Sequence, residues 1–495
     1  MISRRLDALL IAAGTVTFFA LSSYLLKHGL NLNDGVISLL FSLPAALAAV
    51  TALLFSSALL PRAGKLILIT LMVVTTAGVY AADFFLASAP LAWSSSPAWG
   101  FDRSSARARK EIAALAGSLD VQIDPRDRSD YLRAYESRGV DAVPALMLAE
   151  ILTSDPTLRA WHSNGSGEML PLGGVSETVT VLCNETGQFV TYTSDEHGFR
   201  NPSGVWTSMR VDLAALGQSL VQGYCVPNGA GFVDLLRPYY PATLNLGISG
   251  QSSLLQLAAI KEYLQHVRPK NVLWFYSEGI DLGDLGDESA QPLLVRYLEP
   301  AFSQNLIKRQ PQIDSAVRQF QKAQVEHSSR PESSRDIYPL TQRSLDAVKL
   351  WHLRDKVDLM FGSNGIDTRT WSKLDVFRET LAQARLVTSR WGGTLYFVYL
   401  PHWTRYRNGA RVPEREHAAV LKIVNTLQIP VIDIEPAFTS QEDPLSLFPF
   451  RRFAHYNEAG NQIVATTVLK ALSRGSRDDR DHGEPSPAAT SSKPR

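Results

Sequence analysis

The sequence predicts an α/β protein: a three-layer α/β/α sandwich on a mainly parallel five-stranded sheet, preceded by an N-terminal three-helix transmembrane region. Two patterns predict it. Beyond Trp206, short apolar runs alternate with amphipathic helical stretches, the rhythm of a parallel sheet covered on both faces. Before residue 90, apolar residues are concentrated in three runs, each long enough to cross a bilayer, which takes about 20 residues as helix.

The candidate spans are residues 8–26, 36–60 and 66–86, and Pro44 inside the second is tolerable in a bundle. Arg4 and Arg5 precede the first span, and Arg62 and Lys65 separate the second from the third. Lys27, His28 and Asp34 form the weaker cluster between spans one and two. The positive-inside rule then places the N-terminus in the cytoplasm and everything after about residue 87 outside, in an inner-membrane protein with an exported main domain. A cleaved signal peptide is the alternative for the first span, disfavoured because two more spans follow and no small-x-small cleavage site is evident.

Residues 91–205 read as an exported lead-in region. An exit linker rich in Ser, Pro and Trp opens it, and a mostly helical stretch follows, including 107–115 and 143–152. Then come β-type runs at 179–183 and 189–193 and a turn-rich segment at 194–202. The main domain spans 206–474, with strands expected at 211–216, 242–248, 271–276, 394–400 and 430–434. Helices are expected at 254–266, 374–390 and 414–427. Residues 285–373 are too long for a simple crossover and, with helical patterns at 313–326 and 345–360, read as a helical insertion. The tail, 475–495, is charged, Pro/Ser-rich and nearly free of apolar residues, and reads as disordered. There are no internal repeats.

Charge is balanced, 49 Lys+Arg against 48 Asp+Glu, which argues against a nucleic-acid binder. No His/Cys/carboxylate spacing suggests a metal and no glycine-rich run has a nucleotide-binding context, so no cofactor is expected. The expected partners are the lipid bilayer and an acylated glycan or lipid substrate. Cys183 and Cys225 are the two cysteines. In an exported domain they are either bridged, tying an upstream segment to the loop after Ser219, or two buried free thiols.

In an open parallel sheet, functional groups gather beyond the carboxyl ends of the strands. Ser219 follows the first expected strand in Gly217-Gln218-Ser219, and Gly250 follows the second in Asn245-Leu-Gly247-Ile-Ser-Gly250. Glu278-Gly279-Ile280-Asp281 follows the third, and His455 precedes the last helix. A serine, glycines with exposed backbone donors and a histidine are the parts of an acyl-transfer site.

This ordered series, over about residues 195–465, resembles the SGNH (GDSL-type) hydrolase superfamily, in particular its membrane-anchored exported bacterial members. The resemblance implies a flavodoxin-like sandwich with Ser219 as nucleophile and His455 as catalytic histidine. It implies an oxyanion hole from the backbone N–H groups of Ser219 and Gly250. Three positions depart from the family. Gln218 stands for the aspartate before the nucleophile, and Ile280 for the asparagine that donates to the oxyanion. Arg452 stands for the aspartate three residues before the histidine. Asp443 is a candidate replacement acid, and Glu278 and Asp281 are nearby acids by topology. Arg200 and Asn201 read as structural, and His197 and His402 have no assigned role. The expected function is an esterase or acyltransferase acting through a Ser–His pair on an acyl ester of an envelope glycan or lipid. The alternative is an impaired SGNH-fold protein retained as a glycan-binding or envelope scaffold component.

Overall fold

The computed structural model describes chiefly residues 128–153, 169–328, 368–406, 413–451 and 455–481. The chain divides into two compact units, Met1–Trp99 with Pro331–Trp371, and Gly100–Arg330 with Ser372–Arg495. Among the described residues no helix is long and apolar enough to cross a membrane; the three candidate spans lie outside them, as do the helical runs expected at 107–115 and 345–360.

The lead-in region builds a small sheet. Strands β1 (Ala142–Pro144) and β2 (Val179–Cys183) are parallel, and β3 (Val190–Thr193) returns antiparallel to β2. The expected helix over 143–152 is therefore corrected: the chain is extended through Pro144, and the helix is only Leu148–Thr153. Proline disfavours the helical conformation in the residue before it, so Val143 is driven to β, and β1 is an edge strand where Pro144 costs little.

The main sheet has order β5-β4-β6-β7-β8, every pair parallel, with β4 Leu213–Leu216, β5 Thr243–Asn245, β6 Asn271–Ser277, β7 Thr394–Leu400 and β8 Val431–Asp433. Neighbouring side chains on a strand point to opposite faces, and both faces are covered. Leu213, Ala215, Leu273, Phe275, Val398 and Leu400 pack on one side against Val464, Val468 and Leu472 of the C-terminal helix Glu458–Asp481. On the other side Tyr276 and Phe397 meet Phe377 of the helix Thr368–Ser389, with ring centroids 5.5 and 6.1 Å away. All four residues of β4 have no exposed surface, as expected of a strand buried on both faces. The C-terminal helix runs to Asp481, past the expected boundary at 474.

The chain order reverses at β4, with the second strand on one side and the third on the other. This is the switch point at which open α/β sheets place their sites. The turn leaving β4 is crowded: Gly217 has φ +154°, and a Cβ there would meet Val221 Cγ2 at 2.5 Å. Gly247 lies directly against the next helix, Ser219–Gln222; a Cβ there would meet the Gln222 backbone nitrogen at 2.5 Å and the Val221 carbonyl carbon at 2.7 Å. Backbone cannot give way as a side chain tip can. Gly247→Ala is expected to destabilise the protein by about 1–3 kcal/mol, the usual cost of overpacking, read as a lower denaturation midpoint in urea.

Candidate active site

Ser219 is the first residue of the short helix after β4, and His455 is the residue that opens the approach to the last helix. They are 236 positions apart in sequence, yet His455 Nε2 lies 2.8 Å from Ser219 Oγ. The other ring nitrogen, Nδ1, lies 2.7 Å from Oε2 of Glu185. A carboxylate oxygen accepts, so Nδ1 carries the proton, and Nε2 of the neutral ring is left to accept from the serine hydroxyl. Glu185, Ser219 and His455 are 1 %, 5 % and 6 % exposed, so bulk water does not compete for these bonds. The ring plane is fixed by Tyr224, which stacks on His455 at 4.4 Å and 29°.

The acid is the correction. Asp443, the candidate partner, instead forms an exposed ion pair with Arg451. Arg452, where the SGNH resemblance would put an aspartate, lies outside the described residues. Glu185 comes from the turn between β2 and β3, in the lead-in sheet. Cys183 and Cys225 are bonded to each other, with Cα atoms 5.4 Å apart, and the Glu185 backbone N–H points at Cys225 Sγ, 3.0 Å away. The Thr186 hydroxyl donates to the Cys225 carbonyl at 3.2 Å. Cys225 itself has φ +58°, a left-handed conformation that a non-glycine residue adopts only under constraint. Cys183 stands two residues before Glu185, so its spacing was the one sequence signal that this segment reaches Ser219.

Several residues brace the helix Ser219–Gln222. The buried Arg200 guanidinium donates to the carbonyls of Gln222, Gly223 and Val226 at 3.2, 2.6 and 3.1 Å, satisfying acceptors that the end of a helix leaves open. Asn201 bonds both the N–H and the carbonyl of Asn245 at 2.8 and 2.9 Å, fixing β5 beside it. Asp195 gathers the turn by accepting from the backbone of His197 and Phe199, from Asn201 and from Trp206. His197 packs edge-on against Trp206 at 4.7 Å, away from the Ser219–His455 contact. Gln222 Oε1 accepts from the N–H and hydroxyl of Ser249 at 3.0 and 2.8 Å, which holds the loop carrying Gly250. Gly250 needs φ +79°, and a Cβ there would strike the backbone nitrogen of Ala149 at 2.5 Å. Among the described residues no hydrogen-bond partner engages the N–H of Ser219 or of Gly250.

The two altered motif positions after β4 and β6 have different consequences. The Gln218 amide donates to the buried Asp281 carboxyl, whose pKa burial raises well above the usual range. An aspartate at 218 would instead face that group as a second acid. Ile280 is buried at the head of the helix Asp281–Ser289 and offers no donor. Glu278 accepts from Tyr399 Oη at 2.6 Å and from the His402 N–H at 2.9 Å, and pairs with Arg405, so it is a buried strut beneath the 401–406 turn. Among the described residues no group of His, Cys, Asp and Glu is arranged to hold a metal.

No protein-family model matches the chain, and no curated protein sequence aligns with it. The solved structures it is similar to include esterases, lipases and acylhydrolases, two of them described as G-D-S-L or GDSL-like. One is a two-domain esterase active on acetylated mannans, 12% identical over 55% of this chain, with TM-score 0.28; the chain spans 50% of that protein's length. A lipolytic G-D-S-L family member from Veillonella parvula is 15% identical over 53% of this chain and 99% of its own, with TM-score 0.28. A lipase/acylhydrolase from Enterococcus faecalis is 12% identical over 54% and 97%, with TM-score 0.29. Likenesses this distant carry no argument about activity.

The helix Asp281–Ser289 also sets a pH response. Burial, with Asp287 nearby, raises the Asp284 pKa to about 7, and burial raises Glu288 well above its usual value. Unfolding lets Asp284 ionise near pH 4. Its contribution is therefore most favourable below that and is lost as the pH rises toward 7, at about 1.4 kcal/mol per unit between the two pKa values. Asp284→Asn is expected to raise the melting temperature at pH 8 more than at pH 5, flattening the profile measured by calorimetry.

Proposed function

We propose that the chain is a serine esterase of the SGNH type, in which Ser219 attacks, His455 moves the proton and Glu185 orients the histidine. The observation that supports it is the unbroken line of hydrogen bonds Glu185–His455–Ser219 at the carboxyl end of β4. Attack of Ser219 Oγ on an ester carbonyl passes its proton to His455 Nε2, and the new imidazolium sits against the Glu185 carboxylate. The charge developing on the carbonyl oxygen falls to the N–H groups of Ser219 and Gly250. Collapse expels the alcohol, which takes the proton back from His455, and leaves an acyl group on Ser219. Water then releases the acid, or an acceptor hydroxyl takes the acyl group and the enzyme is an acyltransferase. If residues 1–90 anchor the chain in the inner membrane, the ester is carried by an envelope glycan or lipid. The competing reading is an inert binding module, and Ile280, which removes a donor from the oxyanion hole, is the observation in its favour.

A fluorophosphonate probe applied to the full chain should label the wild type and not Ser219→Ala. Absence of label on folded wild-type protein would leave the inert module as the better reading. Glu185→Gln is expected to lower kcat by roughly 10³–10⁴, as when the orienting carboxylate of a triad becomes an amide, with little change in KM. Asp443→Asn should leave kcat within about twofold, since an exposed ion pair contributes little.

A further inference from the structure

The SGNH resemblance leaves one chemical role unfilled, the side-chain donor that Ile280 cannot supply. A donor stands instead at the end of the strand beside β6, the strand that leads to Ile280. Strand β7 runs in register with β6, Ser277 opposite Leu400, and the Glu278 N–H donates to the Leu400 carbonyl at 3.0 Å. Beyond Leu400 the chain turns through Pro401 to His402, a histidine to which the mechanism above gives no role. Its backbone is tied on both sides. The His402 N–H donates to Glu278 Oε2 at 2.9 Å, and Glu278 is two residues before Ile280. The Pro401 carbonyl accepts from Tyr456 Oη at 2.7 Å, and Tyr456 is the residue after His455. His402 therefore stands between the end of β6 and the start of the His455 segment, at the same edge of the sheet as Ser219.

The tautomer of His402 follows from its neighbours. The Thr404 hydroxyl lies 2.8 Å from Nδ1, and the Thr404 backbone N–H points at the same nitrogen from 3.5 Å. A backbone N–H can only donate, so Nδ1 is the acceptor and the single proton of the neutral ring sits on Nε2. The hydrogen bonds of the His402 ring among the described residues are both at Nδ1, which leaves Nε2–H to donate elsewhere. Burial, with His455 beside it, holds the His402 pKa down at about 4, so at neutral pH the ring donates without carrying charge. A charged ring there would oppose the imidazolium that forms on His455 during attack; a neutral one does not.

We propose that His402 is a further catalytic residue, whose Nε2–H takes the place of the missing asparagine as the side-chain donor to the oxyanion. The assignment rests on the esterase reading. It moves the third donor from the end of β6 to the end of the adjacent strand β7, and it leaves Ile280 as apolar packing under the site. The bond forms in the tetrahedral intermediate, so it belongs to kcat rather than to substrate affinity.

The test is hydrolysis of p-nitrophenyl acetate by the full chain, with melting temperature measured on every variant. His402→Leu is expected to lower kcat by about 10²–10³ with KM nearly unchanged, the usual effect of removing one oxyanion donor. His402→Gln, which keeps an N–H, should retain more activity than His402→Leu. The double variant Ile280→Asn with His402→Leu, which restores a donor at the end of β6, should recover at least about tenfold over His402→Leu alone. A purely structural histidine would give the opposite pattern: a lowered melting temperature, equal losses in the leucine and glutamine variants, and no rescue by Ile280→Asn. That pattern, or a His402→Leu kcat close to wild type, overturns the assignment while leaving the esterase reading intact. A wild-type protein with no turnover dependent on Ser219 overturns both.

Discussion

A buried carboxylate is costly unless a charge or donor meets it, and a buried histidine cannot serve a serine unless its far nitrogen is held. The contact between Glu185 and His455 meets both needs at once, and much of the surrounding architecture exists to bring it about. Glu185 lies in a turn of a three-stranded sheet that is not part of the main one. That turn must be pinned within hydrogen-bond distance of a loop 270 residues away in sequence. The Cys183–Cys225 bridge ties that turn covalently to the residue after Tyr224, whose ring stacks on His455, and a small apolar cluster of Leu182, Val190, Tyr192, Tyr224 and Ala145 packs around it. Removing chain freedom before the site assembles is what such a cross-link contributes, and here the restricted segment carries the acid.

The lead-in region is consequently not a spacer. From Gly100 on, it belongs to the same compact unit as the main sheet. The segment from Asp195 to Trp206 makes the same point from the other side. Its arginine closes the end of the nucleophile helix, its asparagine locks β5, and its aspartate holds the turn together. None of these touches the Ser219–His455 pair. They fix the backbone from which Ser219 and Gly250 project, and oxyanion donors act only if they are already in place when charge develops.

The parallel sheet was legible because its strands are continuous apolar runs separated by amphipathic helices, a pattern that survives any detail of sequence. Ser219, Gly250 and His455 were legible because each sits at a strand end or helix start with a recognisable small-residue context. The acid was not. Glu185 lies in Asn184-Glu185-Thr186-Gly187, a polar turn like any other, and what makes it special is a contact that only the folded chain creates. The helix expected over 143–152 failed for a local reason, since Pro144 outweighed the apolar periodicity around it. His402 was equally opaque. A histidine two residues past a strand has no signature until its tautomer and its neighbours are known.

Loss of a family residue at its usual position is weak evidence of lost chemistry when the requirement is a group at a point in space. The end of a parallel sheet brings several chain segments to one place, so a donor or acid can come from any of them. Here the aspartate position holds Arg452, yet a carboxylate reaches His455 from the β2–β3 turn. The asparagine position holds Ile280, yet a neutral histidine stands at the end of the next strand. Gln218 fits the same logic in reverse: an amide that donates to the buried Asp281 carboxyl is a better neighbour for it than a second acid. Each substitution read alone argues for a dead site. Read with the segment that faces it, each is one half of an exchange, and the chemistry is judged by whether the other half is present.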